Sequence, residues 1–276
     1  MPFPDPFRAG LTLLALVTLA ACDSDPAPEP DTIPIISDAF QTDFEAASSD
    51  ADLFPRDGTG WTGRQQQPEA NRVELSTARS RSGTQSMRFV AVPTGAAGTS
   101  KADLVLERLD LGEGDRAWFE FWAYLVGGSD AQNLFVWDLE APATCTDEQA
   151  CPSTGSGALC PAPGRRLYLS GPQGTSWASD LGKWCRGDVF RASTGTLRPD
   201  QWTRIRIFIN LSSEASGQFR VWQDDALVLD ATGLTLPRAE ARYTRLQLGI
   251  TANGSETATH ELFIDDVVVA VTDPGW

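Results

Sequence analysis

One histidine, His260, stands in 276 residues, and no His/Cys spacing of the zinc type occurs. A His-dependent triad or a transition-metal centre therefore has little material to be built from. Basic residues are also scarce: 22 Lys and Arg against 37 Asp and Glu leave a formal charge of −15. That argues against nucleic acid as a partner, because phosphate binding needs a basic surface. Helical signals are few, since no long window keeps apolar residues at i, i+3, i+4 and i+7. What is present is apolar bulk: 41% hydrophobic residues, with nine Trp and thirteen Phe, enough to build a sizeable core and exclude global disorder.

The most apolar run, Leu11 to Ala21, follows Arg8 and is too short to span a bilayer, which is the pattern of a secretory leader. It ends in Leu19-Ala20-Ala21-Cys22, which resembles the bacterial lipobox, so residues 1–21 are expected to be removed and Cys22 to carry a lipid. The protein is then expected in the bacterial cell envelope, lipid-anchored on a membrane outside the cytoplasm. In residues 22–39 the Cys is followed by DSDPAPEPDTIP, too rich in Pro and acid to bury a core, so this stretch reads as an extended tether.

Four further cysteines, Cys145, Cys151, Cys160 and Cys185, lie in a stretch dense in Pro, Gly and Ser. In a secreted chain an even count implies two disulfides, with three pairings open. Loop closure favours Cys145–Cys151 with Cys160–Cys185. A tetrathiolate zinc site is the rival, but no C-x-x-C knuckle occurs.

Period-two alternation recurs through the rest. In Trp118 to Leu125 the odd positions are apolar and the even ones aromatic or acidic, so Trp118, Trp122 and Tyr124 share a face that either lines a groove or lies under a second layer. Ile205, Ile207 and Ile209 alternate with Arg204 and Arg206, and Leu246, Leu248 and Ile250 with Arg245, Gln247 and Gly249. Further strands are expected at 86–92, 102–109, 133–139, 218–223, 226–229 and 262–271, with a tight hairpin at Asp224-Asp225. About ten short strands over residues 40–273 imply an all-β domain, a two-sheet antiparallel β-sandwich. Residues 141–186 interrupt the rhythm and read as a disulfide-pinned insertion at one rim.

Several stretches resemble the concanavalin A-like jelly rolls of laminin-G-type lectin modules and of polysaccharide lyases related to heparin lyase I and the alginate lyases. They are Asp43-Phe44-Glu45, the Arg81 to Phe89 run, Gln201-Trp202-Thr203, the Gly217 to Asp225 hairpin, Leu246 to Ile250 and Phe263 to Val267. The resemblance implies a concanavalin A-like jelly roll with a glycan-binding concave face. It also implies a structural calcium ion between the first and last strands, held by Glu45 and Asp265 with backbone carbonyls and with Asp266 near, because oxygen ligands suit that ion.

The chemistry of the resembling enzymes is only partly represented. The R-x-E-L strand of alginate lyases falls on Lys101-Ala102-Asp103-Leu104, a like-charge variant. The His of their Q-I-H strand falls on Trp137, and the Lys and Tyr of their final strand on Gln247 and Thr251. The E-x-D-x-E of laminarinase-type hydrolases keeps Asp138 and Glu140 but has Val136 at the nucleophile position. These losses point to a non-catalytic module that binds a neutral polysaccharide through Lys101, Asp103, Trp137, Asp138, Glu140 and Gln247. A divergent polysaccharide lyase or glycoside hydrolase is the alternative, and a structural envelope protein without a small ligand the second. The net charge disfavours a polyanion unless Lys101, Arg204 and Arg206 form a local basic groove. His260 is expected at the surface without a catalytic role.

Overall fold

The computed structural model describes residues 34–95, 99–127, 130–142, 164–182 and 189–276. The expected leader, most of the tether, Cys22 and the four cysteines Cys145, Cys151, Cys160 and Cys185 lie outside the described residues.

Alternating apolar residues require one buried face per strand, and two sheets facing each other satisfy that requirement. The first sheet has the order β10 (Phe190–Arg191), β9 (Ser176–Gly182), β8 (Gly164–Ser170), β7 (Leu134–Glu140), β14 (Arg245–Asn253), β5 (Ser100–Leu106), β2 (Gly63–Gln67). The second runs β13 (Ala226–Gly233), β12 (Gly217–Gln223), β11 (Trp202–Asn210), β6 (Arg116–Leu125), β15 (His260–Ala270), β4 (Ser86–Ala91), β3 (Arg72–Ser76). A short β1 (Ala39–Thr42) pairs with the far end of β15. The strand pairings within both sheets are antiparallel. The all-β sandwich expected from the sequence is the fold, and the described residues fall in one unit, Thr32–Trp276. No helix among them is long and apolar enough to cross a membrane.

The core fills the space between the sheets. On β11 buried and half-buried residues alternate, with Ile205, Ile207 and Ile209 inward. Phe119 and Phe219 from the second sheet meet Trp137 from the first at ring distances of 5.0 and 5.9 Å. The hairpin between β12 and β13 turns on Asp224 and Asp225, whose φ angles of 48° and 71° make the left-handed pair that a two-residue hairpin needs. Gly249 on β14 has φ 134°, and a Cβ there would lie 2.7 Å from the Phe89 ring, so only glycine lets the two sheets approach at that point.

The structure corrects the reading of residues 141–186 as a rim excursion. β8 and β9 lie inside this stretch and pair with each other and with β7, within the first sheet. Their inward residues Leu167, Leu169 and Trp177 are fully buried. His260 is also misplaced by the sequence reading: it is 2% exposed, and burial pushes its imidazole below the ordinary range, with Asp130 opposing.

Candidate functional site

The seven-stranded sheet gathers polar side chains on its outward face. On β5, Ala102, Leu104 and Leu106 enter the core, so Lys101 and Asp103 turn outward by alternation. Register then sets their neighbours: Gln65 of β2 stands opposite Asp103, and Gln247 of β14 stands between Val105 of β5 and Asp138 of β7. On the far side of β7, Arg166 of β8 is opposite Asp138, and Asp180 of β9 is opposite Arg166.

These groups bond to one another across the strands. Lys101 Nζ donates to Gln65 Oε1 at 3.0 Å and to Gln247 Oε1 at 3.1 Å. The Gln247 amide donates onward to Glu140 Oε2 at 2.6 Å, and Arg245 Nη1 lies 3.6 Å from the same oxygen. Arg166 makes a two-pronged contact with Asp180 at 2.8 and 3.0 Å, while its guanidinium stacks 4.5 Å from the Phe135 ring. Phe135 in turn stacks on Tyr168 at 4.5 Å.

Asp103 is the unusual member. It is fully buried, and neither carboxylate oxygen has a hydrogen-bond partner among the described residues. Burial drives its proton affinity well above the ordinary carboxylate range. Lys101 opposes that shift, and the nearby acids Asp138 and Glu140 add to it. Burial therefore favours the neutral form of Asp103. Tyr168 is displaced in the same direction by burial, with Asp180 adding and Arg191 and Arg166 opposing.

Of the residues the sequence singled out for ligand binding, the structure brings Lys101, Asp103, Asp138, Glu140 and Gln247 to one face. Trp137 does not join them. A bulge in β7 between Phe135 and Trp137 sends Val136 and Trp137 together into the core, where Trp137 has no exposed surface, while Phe135 and Asp138 turn outward. The aromatic platform expected there is a packing residue. The suggested basic groove also dissolves: Arg204 and Arg206 lie on β11 of the other sheet and pair with Asp225 and with Glu120. Sequence reasoning missed Gln65, Arg166, Tyr168 and Asp180. β2, Gly-Arg-Gln-Gln-Gln, has no apolar alternation to reveal it. The Leu167/Leu169 alternation of β8 was readable but sits among turn-forming residues.

The residues expected to hold calcium do other work. Glu45 accepts the backbone N–H groups of Thr84 and Gln85 at 2.9 and 2.8 Å. Asp265 Oδ2 accepts those of Arg81 and Ser82 at 2.7 and 3.2 Å, and Asp266 accepts the Ser82 hydroxyl at 2.6 Å. N–H dipoles aimed at these oxygens oppose a cation, and no group of three metal-ligating side chains gathers among the described residues. Gly83 lies between the two acids with φ 57°, and a Cβ there would fall 2.2 Å from the Glu45 carboxyl carbon.

Fold and site together define a two-sheet β-sandwich whose one outward face carries acid, amide, cation and phenol side chains on neighbouring strands. The chain belongs to a polysaccharide lyase family, whose model matches residues 56–268. Among solved structures it is similar to the endo-β-1,4-glucuronan lyase of the fungus Trichoderma reesei, at 16% identity over 77% of this chain and 92% of that one, TM-score 0.58. It is similar also to the cellulose-induced protein Cip1, at 14% identity over 86% and 99%, TM-score 0.59. A third is the marine alginate lyase of Aplysia kurodai, at 9% identity over 85% and 98%, TM-score 0.56. At these identities the likeness is one of fold. A comparison with curated protein sequences returns no match.

Proposed function

We propose that the chain is a lyase that cleaves a uronate-containing polysaccharide by β-elimination at the outward face of the seven-stranded sheet. In that reaction a proton leaves the carbon beside the uronate carboxylate, the C–O bond to the neighbouring glycosidic oxygen breaks, and a C=C bond forms in the sugar left behind. The protein must damp the charge that builds on the carboxylate, and it must move one proton from carbon to the departing oxygen.

The observation that carries the reading is Asp103, a buried acid with no partner for either oxygen among the described residues, next to Lys101 and Gln247. A carboxyl whose neutral form is favoured by burial, an ammonium and an amide lie together on one face, a set suited to meeting a substrate carboxylate. The proton carrier follows by elimination. Tyr243 donates to the Thr235 carbonyl in the core, Tyr124 lies on β6 of the other sheet, and His260 is buried on β15. Tyr168 is the remaining tyrosine of three, and it stands on this face beside Arg166. Burial keeps its phenol protonated at neutral pH, so turnover rises towards alkaline pH as the phenolate forms.

Membership of a lyase family supports this reading over the non-catalytic neutral-glycan module, whose aromatic, Trp137, is in the core. The test is the absorbance of unsaturated uronate on incubation with alginate and with glucuronan. Lys101→Ala and Tyr168→Phe should each lower the rate by about 10²-fold or more. Wild-type protein that binds these polymers and releases no unsaturated product would sink the lyase and restore the binding module.

The same proposal includes a lipid on Cys22 and two disulfides among Cys145, Cys151, Cys160 and Cys185, resting on the leader and the cysteine count alone. A Cys22→Ala protein that still partitions with membranes, or four alkylatable thiols in the unreduced secreted protein, would refute the respective part.

A further inference from the structure

We infer that the opposite face of the sandwich carries a second site, a preformed anchor for an acidic polysaccharide, made by Arg79 and Arg81 over the rings of Tyr124 and Trp122. The segment between β3 and β4 crosses the outward face of the eight-stranded sheet. It is tied down by Asp265 through the N–H groups of Arg81 and Ser82, and by Glu45 through those of Thr84 and Gln85. So held, the Arg79 guanidinium stands 4.3 Å from the Tyr124 ring centre, and that of Arg81 stands 4.1 Å from Trp122. The acids that resemble metal ligands thus fix the backbone that aims these two cations.

Charge separates these arginines from their neighbours. Arg204 and Arg206 are paired with Asp225 and Glu120. Arg79 and Arg81 are exposed and have no carboxylate partner among the described residues, in a chain whose net charge is −15. A planar guanidinium already stacked on a ring loses little freedom when it takes a carboxylate in a two-pronged hydrogen bond. Tyr124 and Trp122 are two residues apart on one strand face, about 7 Å along the strand, so the two cations lie over neighbouring rings. Trp202, half-buried and packed against Tyr124 at 5.5 Å, adds a ring for the C–H surface of a sugar. Stacking alone would hold a neutral glycan; two free cations select one that bears carboxylates.

The site borrows from the proposed function only the class of polymer, and its test removes turnover. In the Lys101→Ala background, affinity electrophoresis is run in gels containing alginate or hydroxyethyl cellulose. Alginate should retard the protein and the neutral polymer should not. Adding Arg79→Ala and Arg81→Ala should weaken the alginate affinity about tenfold, as expected for two exposed cation sites. Arg79→Lys with Arg81→Lys should fall between, because the charge stays and the planar contact is lost. On an otherwise wild-type background the double alanine variant should keep its melting temperature and its rate on short oligouronates. The inference is overturned if the double alanine variant is retarded as strongly as its parent, if the neutral polymer retards equally, or if Lys101→Ala alone abolishes retardation. A protein that releases no unsaturated uronate yet loses retardation with the two arginines would remove the proposed lyase and leave this site standing.

Discussion

On β6 and β11 the outward residues include Trp118, Glu120, Trp122 and Tyr124, then Trp202, Arg204, Arg206 and Phe208; on β5, β7 and β14 they include Lys101, Asp103, Phe135, Asp138, Glu140 and Gln247. Both faces arise from the same alternation over one shared core. On the eight-stranded sheet, guanidinium groups lie on rings and stay in contact with water. On the seven-stranded sheet, polar groups bond to each other and are withdrawn from water, so that Asp103 shifts far in proton affinity. A face of stacked cations and rings suits holding a polymer, whereas desolvated, mutually coupled acids and donors suit moving protons.

The strongest way to break the comparison is through the core that both faces share. Trp137→Ala should cost about 3–5 kcal/mol in denaturant unfolding. The folded fraction should still bind polyuronate with unchanged affinity; loss of binding without loss of stability would return Trp137 to the site. Next comes Gly83→Ala, which forces a left-handed backbone position on a residue with a Cβ and drives that atom into Glu45. A loss of about 1–3 kcal/mol is expected, with weakened alginate retardation in the Lys101→Ala background.

Asp103→Asn sharpens the comparison through pH. The folded-state proton affinity of Asp103 lies above the unfolded value, so its contribution to stability is complete in acid and is lost as pH rises through the folded-state value. The Asn variant cannot ionise. It should melt higher than the parent at neutral pH, by a free energy on the order of 1–3 kcal/mol, and the gain should vanish in acid. A gain that is the same at both pH values would place the effect elsewhere. The smallest effect belongs to the exposed pair Arg220 and Asp230 at 3.0 Å on the eight-stranded sheet. A double-mutant cycle there should give about 0–1 kcal/mol, falling with salt.

Much of the fold was legible. Ile205, Ile207 and Ile209, the Asp224-Asp225 hairpin and Gln247 on an outward position all follow from period two, because a strand in a sandwich has one wet and one dry face. Lys101, Asp103, Asp138, Glu140 and Gln247 were legible as a group through the family resemblance. Tyr168 and Arg166 were not, because β8 lies among Pro, Gly and Cys residues that read as a loop; its strand character comes from pairing with β7 and β9. The acids Glu45 and Asp265 were seen as a pair, but their partners are backbone N–H groups, which leave no mark in a sequence pattern.

The sequence by itself determined that the chain is a β-sandwich of the jelly-roll kind, acidic, with little material for a histidine or transition-metal mechanism. Composition and alternation are properties of single strands, and they reach that far. Only the tertiary structure decided that a bulge turns Trp137 inward and that register sets Gln65 opposite Asp103 and, two residues further along β5, lines up Gln247, Asp138 and Arg166 across β14, β7 and β8. It also decided that one loop, tied from both sides, lays Arg79 and Arg81 over aromatic rings. The reason is physical: register, bulges and loop docking are set by contacts between residues far apart in the chain, and a local pattern holds no record of which distant residue stands opposite.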